Sequence, residues 1–143
     1  MLEDIQDPGN LGSILRSAAA AGCDTVFLSQ GCADVWSSKV LRAAMGGHFF
    51  LSIYESVDLI AVAEAFQGTI FAGVLNTKNS VYECDLRGQL AIAVGNEGAG
   101  LSASLLATTD KHFSIPMTGQ IESLNVAVAT AVCLFEAVRQ RTA

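Results

Sequence analysis

Charged residues, prolines and aromatic side chains are all scarce in this sequence. Only 15% of its 143 residues are charged, 7% are aromatic and two are proline, whereas 51% are hydrophobic. A chain with so little charge and so much apolar surface to bury is not intrinsically disordered, and it is too short for a multidomain enzyme. The composition therefore predicts one compact domain over residues 1–143, with a sizeable core.

Cysteine pairs at metal-binding or disulfide spacing are also missing. The four cysteines lie 9, 52 and 49 residues apart along the chain (Cys23, Cys32, Cys84 and Cys133), so there is no C-x-x-C pair. His48 and His112 have no carboxylate or cysteine at ligand spacing, and we interpret both as structural. These absences predict that the protein holds no metal and works in a reduced, cytoplasmic setting.

Long apolar runs are absent as well. No run approaches the ~20 residues that a membrane span needs. The first ten residues carry Glu3, Asp4 and Asp7, which is unlike a signal peptide. We therefore expect a soluble protein with no membrane partner.

Basic residues are outnumbered by acidic ones. Eight Lys and Arg stand against fourteen Asp and Glu, which gives a net charge of -6 and a pI near 4.7. This balance argues against a broad basic surface that coats nucleic acid. Residues 10–50 are the exception, with three cations against two carboxylates. Within them Trp36, Lys39 and Arg42 form a small aromatic and basic patch, which we interpret as packing plus a solvated face rather than as an RNA contact.

What the sequence does have is an alternation of short β-branched runs with longer helical ones. Strands are predicted over residues 24–29, 48–53, 69–75, 89–95 and 112–116, each bounded by Gly, Asn, Asp or Pro. Helices are predicted over 10–21, 37–45, 57–66 and 123–139, with a short one after residue 101. The alternation predicts an α/β single domain with a mostly parallel sheet flanked by helices, and residues 1–5 allow only a very short first strand.

The first and last predicted helices differ in their apolar pattern. In the first, Leu11, Ile14 and Leu15 share one face, and Arg16 falls on the opposite, polar face. The last helix is apolar almost all round. This pattern predicts that the last helix is covered on more than one side, by the rest of the fold or by a partner subunit.

Three polar or glycine-rich segments follow strand ends, where open α/β sheets place their ligand crevices. They are residues 7–16 (DPGNLGSILR), 94–101 (VGNEGAGL), and 115–117 (IPM) followed by 122–126 (ESLNV). Each alone has a plain structural explanation, such as a helix N-cap for Asn10 or a solvated charge for Arg16. No G-x-G-x-x-G, Walker or G-x-S-x-G motif is present, which counts against a nucleotide-dependent oxidoreductase and a hydrolase.

Taken together and in this order, the three segments resemble one enzyme family over nearly the whole chain. It is the SpoU, or TrmH-like, branch of the SPOUT superfamily of S-adenosylmethionine-dependent RNA methyltransferases. Its first motif, an Asn followed six residues later by an Arg at a helix start, is matched by Asn10 and Arg16. Its second motif is matched by residues 95–98 (GNEG), and its third by 115–117 (IPM) with 123–127 (SLNVA).

The resemblance implies a fold, a cofactor and partners. The fold is an α/β domain with a deep trefoil knot at the C-terminal end, whose knotted loops bind S-adenosylmethionine. The protein is expected to be a homodimer whose two active sites draw residues from both chains, and to methylate a ribose 2'-hydroxyl of tRNA or rRNA. The resemblance places the cofactor against backbone groups around Leu75, Gly95, Ile115, Met117 and Leu124, with glycine at 95 letting the chain approach the ligand.

The matching family positions also imply roles for five polar residues. Arg16 is expected to activate the 2'-hydroxyl. Because a guanidinium is a poor base in water, two roles stay open for it, proton removal and stabilisation of a phosphate or oxyanion. Asn10, Glu97, Ser123 and Asn125 are expected to position RNA and support that arginine. Glu97 is its natural counter-charge, in one chain or across the dimer interface, with a solvated loop carboxylate as the alternative.

The resemblance leaves one alternative function open and suggests where the matching domain begins. The alternative is a non-catalytic RNA-binding or dimerisation module of the same fold, against which the intact motif residues count. Some relatives in this branch carry an additional N-terminal substrate-binding domain. The start at Met1-Leu2-Glu3-Asp4 predicts that such a domain is absent from this chain.

Overall fold

The computed structural model describes all residues, 1–143, and contains five α-helices and five β-strands. The helices are α1 (Pro8–Ala20), α2 (Ser38–Ala44), α3 (Leu59–Ala65), α4 (Ala103–Leu106) and α5 (Val126–Thr142). The strands are β1 (Thr25–Phe27), β2 (Ser52–Tyr54), β3 (Thr69–Gly73), β4 (Leu90–Ala93) and β5 (Lys111–Phe113). Two short 3-10 turns, Gly47–Phe50 and Val81–Glu83, lie between them. The alternation of strands and helices confirms the predicted α/β class.

The first residues of the chain join two groups of parallel strands into one sheet. β1 pairs with β2, and β3 lies between β4 and β5, all in parallel. Leu2 bridges to Leu28 at the end of β1 and to Val94 at the end of β4. Its amide donates to the Phe27 carbonyl at 2.8 Å. The order across the sheet is therefore β2, β1, residues 1–3, β4, β3, β5, so the very short first strand lies in the middle of the sheet.

Helices cover both faces of this sheet, as a parallel sheet requires. On one face α1 packs against α2 and α5 over the larger core cluster. On the other face α3 and α4 pack over a smaller cluster that includes Leu59, Ile70 and Leu105. The approach of α1 to α2 depends on Gly12, because any side chain there would collide with the side chain of Ala43 and the backbone of α2.

The start of α1 differs from the prediction. The helix begins at Pro8 because Asp7 is its N-cap, and the Asp7 carboxylate accepts a hydrogen bond from the Asn10 amide at 2.8 Å. Asn10 therefore lies inside the helix, which leaves its side chain free for other contacts and makes the N-cap interpretation of Asn10 wrong. The predicted faces are confirmed, since Leu11, Ile14 and Leu15 are buried and Arg16 is exposed.

The predicted strand over 48–53 is wrong in its first half. Residues Gly47–Phe50 form a 3-10 turn, and β2 begins only at Ser52. The chain reverses at Met45 and Gly46, which both have left-handed φ angles of 49° and 85°. His48 then turns inward, and its Nε2 lies 2.7 Å from the Val35 carbonyl oxygen. The buried anchor of this turn is His48, whereas the neighbouring Phe49 and Phe50 are exposed, so the aromatic residues here do not mark a buried strand.

The last helix is covered on one side only within the chain. It begins at Val126 rather than at residue 123, because Asn125 is its N-cap. Its inner face is buried against the rest of the fold, whereas Val128 and Phe135 on the outer face are 50% and 47% exposed. A single chain therefore leaves an apolar strip of α5 uncovered. None of the helices has both the length and the apolarity that crossing a bilayer demands.

Candidate functional site

A cavity of about 960 Å³ lies at the carboxyl edge of the sheet. It is bounded by the loops that follow β3, β4 and β5 and by the start of α5. Because parallel strands end at the same edge, the segments after β4 and β5 meet there although they lie far apart in sequence. Its volume is within the range of pockets that bind cofactors and small ligands.

All five residues expected to bind the cofactor line this cavity. They are Leu75 after β3, Gly95 after β4, Ile115 and Met117 after β5, and Leu124 before α5. Two of the five residues expected to act in catalysis, Glu97 and Ser123, line it as well. The structure shows that these residues surround one space. Their contact with a cofactor stays a prediction.

The charge of the cavity wall is unusual for a nucleotide site. Neither lysine nor arginine lines it, whereas Glu97 and Glu122 do. About half of the lining residues are apolar, among them Leu101, Phe113 and Val126. A pyrophosphate would find no cationic partner in this wall, while a ligand with positive charge and an apolar ring system would be accommodated.

The loop after β4 holds its shape through its own contacts. A side chain at Gly95 would collide with the backbone of Gly100 and Leu101, so glycine is required here by the packing of the loop on itself. The expectation that Gly95 also lets the chain approach a ligand stays a prediction, and Gly95 lines the cavity. Asn96 completes the loop, since its Oδ1 accepts from the amides of Gly98 and Ala99, both at 2.9 Å.

Asn96 is a site residue that sequence reasoning missed. Its Nδ2 donates to the Asp4 carbonyl oxygen at 2.8 Å, and thereby ties the loop after β4 to the loop before α1. The only signal in the sequence was an asparagine directly after a strand end, where Asn commonly caps turns.

His112 is a second cavity residue that was not predicted as part of the site. It lines the cavity, and its Nε2 lies 3.0 Å from Thr109 Oγ1. It was interpreted as structural from its sequence context.

Glu97 makes a second link between the same two loops. Its carboxylate accepts hydrogen bonds from the Asp7 amide at 3.0 Å, the Gln6 amide at 3.3 Å and Asn10 Nδ2 at 3.3 Å. Desolvation raises the pKa of this carboxyl, but the hydrogen bonds from backbone amides and from Asn10 outweigh it and lower the pKa below its ordinary value. Glu97 is therefore an ionised acceptor that fixes positions, and it is poorly suited to removing a proton.

Asn10 connects Glu97 to the start of the last helix. Asn125 Nδ2 donates to Asn10 Oδ1 at 2.9 Å. The Asn125 Oδ1 caps α5 by accepting from the amides of Ala127 and Val128. A continuous series of hydrogen bonds thus joins Asn10 to Glu97, 87 residues away in sequence, and to Asn125, 115 residues away.

Arg16 is the one predicted site residue that neither lines the cavity nor is tied to Glu97 by hydrogen bonds. It does not line the cavity, and it takes part in neither of the two salt bridges of the chain. Six residues beyond Asn10, it is displaced by about 9 Å along α1 and about 120° around it. The expected pairing of Arg16 with Glu97 is therefore not formed within one chain, and the pairing across a dimer interface stays a prediction.

Neither a metal-binding cluster nor the second cavity described below offers a competing site. No group of three or more His, Cys, Asp or Glu side chains is placed to hold a metal ion. A second cavity, of about 260 Å³, lies at the amino edge of the sheet between α1, α5 and β4, and its wall is mostly apolar. None of the predicted site residues lines it.

The parallel sheet, covered on both faces and carrying its cavity at the carboxyl edge, defines a ligand-binding α/β domain. Comparison with known proteins gives its family. Residues 1–135 match the SpoU rRNA Methylase family, and the chain belongs to it.

Two relatives and one solved structure show how far the likeness extends. The chain is 42% identical to an uncharacterized tRNA/rRNA methyltransferase of Synechocystis sp., over 100% of this chain and 53% of that protein. It is 39% identical to the 23S rRNA (guanosine(2553)-2'-O)-methyltransferase RlmP of Bacillus subtilis, over 94% of this chain and 55% of that protein. The crystal structure of the SpoU methyltransferase AviRb from Streptomyces viridochromogenes in complex with AdoMet superimposes with a TM-score of 0.90 at 32% identity, over 99% of this chain and 59% of that one. The chain thus spans a little over half the length of these proteins.

Proposed function

We propose that this chain is the catalytic domain of an RNA methyltransferase that uses S-adenosylmethionine to methylate a ribose 2'-hydroxyl of tRNA or rRNA. The relatives named above support the reaction class. The observation that carries the proposal is the cavity lined by the second and third motif segments, with two glutamates and no lysine or arginine in its wall.

The cavity suits S-adenosylmethionine better than it suits a dinucleotide. The cofactor carries a sulfonium and an ammonium group, which the Glu97 and Glu122 carboxylates attract rather than repel. Its adenine fits an apolar wall that contains Leu75, Ile115 and Leu124. A dinucleotide would bring a pyrophosphate into a space without a lysine or arginine.

The residues of this chain would divide the work of the transfer among them. When bound, S-adenosylmethionine would supply its methyl group to the ribose oxygen and would leave as the thioether S-adenosylhomocysteine, and the hydroxyl proton would pass to solvent, directly or through Arg16. Asn10 and Asn125 are fixed by each other and by Glu97, a residue of the cavity wall, and would hold the RNA in register. Ser123 lies in the wall itself and faces the same space.

Arg16 would act on the hydroxyl from another direction. A guanidinium donates hydrogen bonds and carries a positive charge, so stabilising the developing oxyanion or the adjacent phosphate is its physically easier role. Removal of the proton by Arg16 is the second role, and substitution by lysine separates the two. Lysine keeps the charge but loses the planar set of donors.

The position of Arg16 also supports a homodimer with shared active sites. Since Arg16 of one chain is remote from that chain's cavity, a second copy would have to bring its own Arg16 to it. The exposed apolar strip of α5, with Val128 and Phe135, provides a surface for such a partner. We further propose that the segments after β4 and β5 form the trefoil knot of the family, which the meeting of their loops around one cavity supports.

The proposed function is tested by two measurements. Isothermal titration is expected to show binding of S-adenosylmethionine and none of NAD, and binding of NAD alone would contradict the proposal. Transfer of labelled methyl groups to total RNA, followed by nuclease mapping, is expected to place the label on a ribose. Label on a base would instead indicate a base methyltransferase. Binding of neither ligand would indicate a non-catalytic module.

Two variants test the residues within this proposal. Arg16→Ala is expected to lower methyl transfer by orders of magnitude and to leave calorimetric cofactor binding nearly unchanged, since Arg16 does not line the cavity. Asn125→Ala is expected to lower activity without unfolding the domain. Full turnover in the Arg16 variant would remove that residue from the catalytic role.

A further inference from the structure

Two neighbouring phenylalanines are exposed to solvent on the side of the sheet that carries α1 and α2. Phe49 is 91% exposed and Phe50 is 75% exposed, whereas Phe71 and Phe113 in the core are almost fully buried. Neither exposed ring belongs to any of the aromatic pairs of the chain. Single exposed apolar residues are common, but two adjacent aromatic rings at this exposure indicate a contact surface.

The turn that carries these rings is held in place at both ends. It follows left-handed backbone at Met45 and Gly46. His48 is buried within it, with Nε2 2.7 Å from the Val35 carbonyl oxygen, and Leu51 packs against the core at its end. The two rings are therefore presented by an ordered turn, so binding to them would require little ordering of the protein.

Three cations lie on the two helices next to this turn. Gly47 lies against α1 so closely that a side chain on it would come within 3.4 Å of the Arg16 Cα atom. Lys39 and Arg42 are exposed on α2, directly before the turn. None of the three takes part in a salt bridge. We call Arg16, Lys39, Arg42, Phe49 and Phe50 the Phe49 surface.

The acidic residues of this region are already engaged beside the surface. Asp34 accepts a hydrogen bond from the Trp36 amide at 2.9 Å, and Glu55 accepts one from Trp36 Nε1 at 2.9 Å. Trp36 is thereby tied to two carboxylates and belongs to the packing of this region. The Phe49 surface itself contains three cations and no carboxylate, on a chain with a net charge of -6.

We propose that the Phe49 surface binds unpaired RNA, with bases stacked on Phe49 and Phe50 and phosphates held by Lys39 and Arg42. This inference rests on the proposed function and deepens it, because it names the class of RNA. Stacking on side chains requires bases that are splayed out, so the substrate is a loop or single strand rather than a continuous duplex. The position of the rings beside Arg16 assigns them to nucleotides that flank the methylated one.

RNA fits this surface better than a second copy of the chain does. Apart from Arg16, which the proposed dimer would bring to the partner's cavity, an apolar partner surface would bury Lys39 and Arg42 unpaired, which is costly without opposite charges. RNA supplies both a flat apolar partner for each ring and a phosphate for each cation. The uncovered strip of α5, which is apolar around Val128 and Phe135, is the better surface for a second copy.

The rings are tested by binding of the whole chain to a fluorescent single strand of about 12 nucleotides and to a duplex of the same length. Replacing both rings (F49A and F50A together) is expected to weaken single-strand binding by about tenfold for each ring and to change duplex binding little. Tyrosine at both positions is expected to restore binding, and leucine is not, because only tyrosine stacks. The control is Tyr82→Ala, which removes an exposed aromatic ring from the other 3-10 turn.

The cations are tested by the salt dependence of the same binding. Each phosphate contact to a single strand contributes about 0.7 to the slope of log K against log salt, so K39Q with R42Q is expected to reduce the slope by about 1.4. The control is Lys111→Gln, which removes an exposed cation from β5 at the opposite edge of the sheet.

Three results would overturn the inference. They are single-strand affinity unchanged in the double alanine variant, full rescue by leucine, and a change in oligomeric state by sedimentation, which would assign the surface to a second copy. These three results differ from the results that would contradict the proposed function. If the chain transfers no methyl to ribose yet binds single strands through the rings, only the function fails. If it methylates ribose normally and the ring variants bind and turn over like the unchanged chain, only this inference fails.

Discussion

Arg16 and the cofactor cavity are expected to work together only when they come from different chains. The perturbation is a pair of variants, Arg16→Ala and Met117→Arg. The first leaves the cavity intact, and the second places a cation in a wall that has none. Met117 is 36% exposed, so arginine is tolerated there without loss of the fold. Each variant alone is expected to be inactive, and calorimetry must show that Met117→Arg has lost S-adenosylmethionine.

The magnitude follows from two-fold symmetry. When the two variants are co-expressed in equal amounts, about half of the dimers are mixed, and each mixed dimer has one site with both an intact cavity and an intact arginine. Activity is therefore expected to return to about a quarter of that of the unchanged protein. If Arg16 served its own chain, the mixture would stay inactive.

The matched control places both changes in one chain and mixes it with the unchanged protein. With shared sites every mixed dimer is dead, and about a quarter of the activity remains, whereas sites within one chain would retain about half. The assay is labelled methyl transfer to RNA by the whole mixture, and two different tags serve only to verify that mixed dimers form. An inactive variant mixture together with half activity in this control would refute the shared site.

Two further predictions concern the carboxylates. Glu97→Gln puts an amide donor against the backbone donors of Gln6 and Asp7, so it is expected to lower the free energy of unfolding by about 1 kcal/mol, to lower Tm by a few degrees and to reduce methyl transfer. The control is Glu122→Gln, which alters a cavity glutamate without hydrogen bonds and is expected to leave Tm unchanged. Equal Tm values in both variants would contradict the positioning role of Glu97. Hydrogen bonds from Arg139 and Gln140 hold the pKa of Glu136 at about 2, below its ordinary 4.5, so its stabilising contribution is complete above about pH 4.5 and is lost as the pH falls toward 2. Urea unfolding of Glu136→Gln is therefore expected to show a deficit at neutral pH that shrinks in acid, with exposed Glu64→Gln as the control; a deficit independent of pH would contradict this assignment.

Much of the architecture was predictable because it is encoded locally. The alternation of strands and helices follows from runs of β-branched residues and from helical periodicity, which reflect which face of each element is buried. The polar face that carries Arg16 was found in this way. The helix and strand boundaries that were predicted wrongly depend on single contacts. Examples are the Asp7 carboxylate that caps α1 and the His48 ring that anchors the turn before β2.

From the sequence, the residues of the candidate site could be predicted, but the contacts between them could not. The three motifs identified which segments matter, and the structure places the expected cofactor residues around one cavity. Nothing local indicated that Glu97 would be held by the amides of Gln6 and Asp7, or that Gly95 is required by the backbone of its own loop. These contacts join residues distant in sequence or depend on the path of a loop, and neither produces a periodic signal.

The sequence by itself determined the α/β class, the family and the segments that carry the chemistry, because each is written in short stretches of the chain. Only the tertiary structure decided which of those segments meet. It joined Asn10 to Asn125 across 115 residues, and it set Arg16 apart from the cavity that it is expected to serve. The reason is geometric. A helix turns its residues by a fixed angle, so two residues of one motif face different neighbours, and only the packed fold shows what those neighbours are.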